Sequence, residues 1–149
     1  MARMMPSFCP DDVPPGEKAV FTRLRDDRTT DEWVVLHSLD IANHIRQVVG
    51  EADFVVVIPG SGILVIEVKS HLSIDRRSDG TWKLGNSAPT SRGPFQQANE
   101  AMYSLRAYLE KRNVNLRSIP ILSAVWFTGV RARAMLPSNP EWHDWQVMD

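Results

Sequence analysis

The chain has 149 residues, 43% of them hydrophobic, with 17 basic against 18 acidic side chains and a formal net charge of −1. That length suits one domain able to bury about two thirds of its unfolded surface; a single cysteine excludes an internal disulfide, and no apolar run approaches the roughly 20 residues of a membrane span. Near-neutral charge excludes attraction of the whole protein to a polyanion, so such contacts would need local clusters: Arg76 with Arg77, Arg92, Lys111 with Arg112 and Arg117, or Arg131 with Arg133.

The start, MARMMPSFCPDDVPPG, has neither an apolar h-region nor a small-residue cleavage site. Residues 1–15 therefore read as a proline-rich lead-in, and the expected compartment is the cytoplasm. GEKAVFTRLRDD predicts a helix opened by Gly16, with Val20, Phe21 and Leu24 on its buried stripe and Glu17 at the head of that stripe. A first-turn glutamate also suits the positive end of a helix, which accounts for its type but not for its face. Trp33 to Leu39 predicts a strand, while IANHIRQVVG is open between a short helix and a loop. ADFVVVI and GILVIEVKS, joined across Pro59-Gly60-Ser61-Gly62, predict a hairpin. Both runs are apolar at successive positions, so helices are expected on both faces of their sheet.

SIDRR and TWKL, around Asp79-Gly80, predict a second and more polar hairpin, and GNSAPTSRG a loop. The spacing of Phe95, Ala98, Met102, Leu105 and Leu109 behind Pro94 predicts a long amphipathic helix. IPILSAVWFTG is a further buried strand, and the closing WHDWQVMD lacks the character of a tail. This order predicts an α/β fold, a mixed central sheet flanked by helices on both faces. Residues 16–149 are expected to be one domain, the N-terminal part of a longer protein.

Glu67 and Lys69 are two residues apart on a strand, so they project from one face about 6.6 Å apart. Ionised groups in so apolar a run cost several kcal/mol each unless they are paired or hold an ion. A structural salt bridge is one reading, a reactive centre the other. Asp53 opens the preceding strand and comes level with Val68. A four-residue loop pairing Ile58 with Ile63 would put it on the opposite face from Glu67. Sharing a face requires an odd-length loop, a bulge or a bend. Gln97 lies on the shoulder of its helix with Ala101 and Tyr108, from which it could meet the sheet or stand as a partly exposed polar residue, whereas Gln96 projects with Glu100, Tyr103 and Glu110. Other plans lack their residues: His37, His44, His71 and His143 have no zinc spacing, there is no Walker A sequence, and Gly60-Ser61-Gly62 is not set in a nucleophile elbow.

Together Glu17, Asp53, Glu67-Val68-Lys69 and Gln97 resemble the PD-(D/E)XK nuclease superfamily. More closely, GEKAVFTRL, VVLHSL, EADFVVVIPGSGILVIEVKS, DGTW and GPFQQANEAMYSL resemble a nuclease-related domain (NERD) over most of residues 16 to 109. The resemblance implies a restriction-endonuclease-like core and Mg²⁺-dependent hydrolysis of phosphodiesters, with Mn²⁺ able to substitute. The expected partners are nucleic acid, DNA ahead of RNA, and a helicase or other module in the same protein, and no membrane. The chemistry suits the residue types, because hard cations held by carboxylates neutralise phosphoryl oxygens and activate water. Asp53 and Glu67, with the main-chain carbonyl of Val68, are then expected to hold the metal. Lys69 is expected to position the attacking water or offset transition-state charge. By carry-over, Glu17 would bind a second metal or its water shell, and Gln97 would orient Lys69 or a phosphate. The alternative expectation is a catalytically inactive nucleic-acid-binding or protein-docking module on the same fold.

Overall fold

The computed structural model describes residues 1–37 and 52–149. In chain order they form β1 (Arg3–Met5), α1 (Pro15–Asp26), β2 (Val34–His37), β3 (Phe54–Ile58), β4 (Gly62–Lys69), β5 (Ile74–Arg76) and β6 (Trp82–Leu84). The long helix α2 (Pro94–Lys111), β7 (Ile121–Phe127), a short helix α3 (Ala132–Met135) and β8 (Val147–Met148) follow. The segment left open between a helix and a loop, and the end of the strand predicted to reach Leu39, lie outside the described residues.

Six strands make one mixed sheet in the order β1-β2-β3-β4-β7-β8, while β5 and β6 form the predicted polar hairpin apart from it. The fully apolar runs occupy the centre. β3 and β4 are antiparallel, and β7 lies parallel to β4 after the crossover through α2. Residues on alternate positions of β4 enter different cores, as the pleat requires. Ile66 and Val68 pack with Val20, Phe21 and Leu24 of α1. Val65 packs on the other face with Ala101, Met102 and Leu105 of α2. The unbroken hydrophobicity of these strands thus reflects a helix on each side, and the fold is restriction-endonuclease-like α/β, as expected.

Two elements differ from the sequence reading. The lead-in read as a tail contributes β1, which pairs parallel with β2, and the last residues form β8, parallel to β7. Three- and two-residue strands show no measurable period of their own, and the exposed edges of β2 and β7 recruit them. Among the described residues no helix is long and apolar enough to cross a membrane.

Candidate active site

The β3–β4 hairpin pairs Ile58 with Gly62, leaving a loop of three residues, Pro59 to Ser61, instead of four. Gly62 is strand and not turn because the Pro120 carbonyl packs where a side chain would stand, and the Ile63 N–H donates to that carbonyl at 2.9 Å. With φ at 144° at this position, glycine is the residue the backbone admits. The odd loop meets the condition set by the sequence: Phe54 pairs with Ile66, and one step further Asp53 comes opposite Glu67 on the same face. No bulge is needed.

On that face, the one covered by α2, four of the expected residues meet. Lys69 Nζ donates to Glu67 Oε1 at 2.6 Å and to Gln97 Oε1 at 2.8 Å. Gln97 Nε2 in turn donates to the Arg92 carbonyl at 3.2 Å, which fixes the amide with its oxygen toward Lys69. Gln97 reaches this point because the first turn of α2 is anchored by Phe95, fully buried and stacked on Trp142 at 4.9 Å between ring centroids. Such a stack adds about 0.5–1.5 kcal/mol beyond burial. Asp53 Oδ2 accepts the Val68 N–H at 2.6 Å, so the acid is held against the main chain between Glu67 and Lys69.

These carboxyls are short of positive charge. Burial, followed by the nearby Glu67 charge, pushes the Asp53 carboxyl up to about 8, and the Val68 N–H offsets only part of that rise. Burial likewise pushes Glu67 up, against the pull of the Lys69 ammonium. One lysine therefore serves two buried acids. Two carboxylates and a main-chain carbonyl are hard oxygen donors of the kind Mg²⁺ accepts, because that ion is held by one or two carboxylates and keeps several waters. The donor set fits such an ion.

Glu17 stands apart from this group. Helix α1 packs on the opposite face of the sheet, and there His37 Nε2–H donates to Glu17 Oε2 at 3.3 Å. Its charge is still felt by Asp53 and Glu67, whose carboxyls it helps to raise. Among the described residues no three His, Cys, Asp or Glu side chains are grouped to hold one metal ion, so Glu17 does not complete a three-acid cluster. The physical reason is the sheet itself, which separates α1 from Lys69 and Gln97. Gly16 sets this approach: a Cβ there would overlap the Ser70 hydroxyl and stand 2.7 Å from Thr128 Oγ1, so only glycine lets α1 begin against the ends of β4 and β7.

Sequence reasoning missed His37. Considered only as a zinc ligand, it is a fully buried partner of Glu17, with Phe21 edge-on at 5.8 Å and Phe54 tilted at 4.7 Å. The available signal was its alternation with Val35, which put it on the α1 face. The family described as a nuclease-related domain matches residues 15–128. No curated protein and no solved structure matches the chain.

Proposed function

The chain belongs to the nuclease-related domain family, and from that premise we propose that Asp53, Glu67, Lys69 and Gln97 form a Mg²⁺-dependent phosphodiesterase centre that cleaves nucleic acid, DNA in preference to RNA. The observation that carries this reading is the pair of buried acids on one face, Asp53 raised to about 8, with a single lysine between them and the helix. A structural ion pair needs one acid for one lysine; the second acid, which holds its proton in the metal-free site, becomes a ligand when a cation takes that proton's place.

Asp53 and Glu67, with the Val68 carbonyl, would hold the ion, and Mn²⁺ could replace it. When bound, the ion supplies Lewis acidity toward a phosphoryl oxygen and acidifies water. The protein's own groups do the rest. Asp53 must give up the proton that its environment favours before it can serve as a ligand. An ammonium has three donors; Lys69 spends two on Glu67 and Gln97, and the third is directed to the attacking water or to charge developing on the phosphoryl group. Gln97 is a positioning residue, holding that ammonium in place. Glu17, held by His37 across the sheet, acts on the site through its charge or through a water shell.

In the cell this activity would belong to DNA processing in the cytoplasm, alongside a helicase or other module of a longer protein. A second reading, a docking module without catalysis, is favoured by the missing third acidic ligand among the described residues. Labelled single- and double-stranded DNA and RNA, incubated with Mg²⁺, Mn²⁺ or chelator, separate the two readings. Cleavage that needs metal and vanishes in Lys69→Ala and Asp53→Asn is expected. Binding without cleavage, indifferent to chelator, would leave the docking module standing.

A further inference from the structure

Of the arginine clusters in the sequence, Arg131 with Arg133 lines a groove. Arg76 is engaged by Glu141 at 2.8 Å and Arg92 by Glu100 at 2.7 Å. Lys111 and Arg112 end α2, and at 1.5 Å per residue Arg112 lies roughly 22 Å along the helix from Gln97. Arg131 and Arg133 instead join Arg23 of α1 around an open groove of about 790 Å³ on the α1 face of the sheet. Ala19, Val130 and Trp126 contribute to its apolar lining. All three arginines are exposed, and among the described residues neither Arg23 nor Arg131 has a carboxylate within salt-bridge distance. Arg133 is tied down: its Nε donates to the Val147 carbonyl and its N–H to Asp149 Oδ2, both at 2.9 Å. Asp149 is the one acid among the residues lining the groove.

The groove and the catalytic face share an edge. Thr128 lines the groove, and its N–H donates to the Lys69 carbonyl at 3.0 Å. Guanidinium groups bind phosphates bidentately, and an aromatic and aliphatic lining gives unpaired base faces a surface to bury against, which a duplex does not offer.

We infer that this groove is the binding track for single-stranded nucleic acid, with Arg23 and Arg131 on successive phosphates and bases against Trp126. The inference rests on the nuclease reading for its biological meaning and deepens it by naming the form of the substrate. Its test is independent of cleavage. Anisotropy of a short labelled oligodeoxyribonucleotide, titrated in chelator over a range of salt concentrations, reads binding alone. The Arg23→Ala, Arg131→Ala double variant should bind several-fold more weakly. Its slope of log affinity against log salt should be shallower by roughly 1.4, about 0.7 for each lost phosphate contact on a single strand. The remote pair Lys111→Ala, Arg112→Ala should leave both quantities unchanged, and a duplex of equal length should bind more weakly than the single strand. No binding by the native protein, an unchanged slope in the double variant, or a duplex bound at least as tightly would each overturn the inference. Glu67→Gln, run in parallel, separates the two claims. If the native protein fails to cleave while groove binding persists, the catalytic reading falls and the track stands. Metal-dependent cleavage with a KM untouched by the double variant removes the track alone.

Discussion

Replacing Asp53 by Asn removes a charge that the folded protein is poorly arranged to carry. Asn keeps the size of the side chain, and its Oδ1 can still accept the Val68 N–H that Asp53 receives at 2.6 Å. In the unfolded chain the carboxyl ionises near 3.8; in the folded chain it does so at about 8. Because the folded state holds the proton and the unfolded state does not, the stability of the metal-free native protein should fall as pH rises between those values and level off above the higher one. This is the reverse of the usual salt-bridged carboxylate. At about 1.4 kcal/mol for each tenfold change in proton affinity, the ceiling is roughly 6 kcal/mol. Urea unfolding in chelator should show the two proteins nearly equal near pH 4, with Asp53→Asn ahead by several kcal/mol at pH 8.5. Adding millimolar Mg²⁺ at the higher pH should stabilise the native protein and not the variant, because only the ionised acid gains from the ion. A difference between the proteins that does not change with pH, or a variant less stable at pH 8.5, would refute the claim that Asp53 is a strained acid awaiting a cation.

The same proton makes metal use pH-dependent. Apparent Mg²⁺ affinity should rise about tenfold per pH unit toward a plateau near 8, which titration of cleavage against Mg²⁺ at several pH values would show. Lys69→Ala, besides losing cleavage, leaves Glu67 buried without its ammonium; the cost should be on the order of 3 kcal/mol at pH 8 and should shrink as falling pH lets the raised Glu67 carboxyl take up a proton, as paired urea titrations would reveal. Gly16→Ala should force the start of α1 off Ser70 and Thr128 at a cost of about 1–3 kcal/mol, moving Glu17 with it, and thermal unfolding together with cleavage rates would register both effects. Glu141→Ala strips a partner from Arg76 and from the buried Trp82 indole; stability should drop by about 1–3 kcal/mol while cleavage per folded molecule stays constant.

Where the sequence carries a sustained period, the fold and the placement of the candidate residues were both legible. The spacing from Phe95 to Leu109 marks α2 and, through its shoulder, puts Gln97 toward the sheet. The doubly apolar runs announce two covered faces, and Glu67 and Lys69 interrupt one of them visibly. What stayed hidden depends on contacts between distant segments. Arg3–Met5 and Val147–Met148 are strands only because an edge is offered to them. The position of Asp53 turned on whether Gly62 belongs to the loop or the strand, and that is decided by Pro120, far along the chain. His37 meets Glu17 only once α1 has docked over β2, and Arg23 joins Arg131 and Arg133 only across the groove.

The three-residue loop at Pro59 to Ser61 acts as a parity switch for the face on which Asp53 stands, five residues away and roughly 17 Å along the strand. Inserting or deleting one residue there would leave the composition of both strands and the helices above them untouched, yet it would slide β3 by a single step. Asp53 would then exchange faces with Phe54, sending an acid into the α1 core and a phenyl ring over Lys69, unless a bulge absorbed the slip. Length variation at this turn should therefore be tolerated in steps of two, so that engineered loops of three and five residues remain active while a loop of four yields a folded but inert or a misfolded protein.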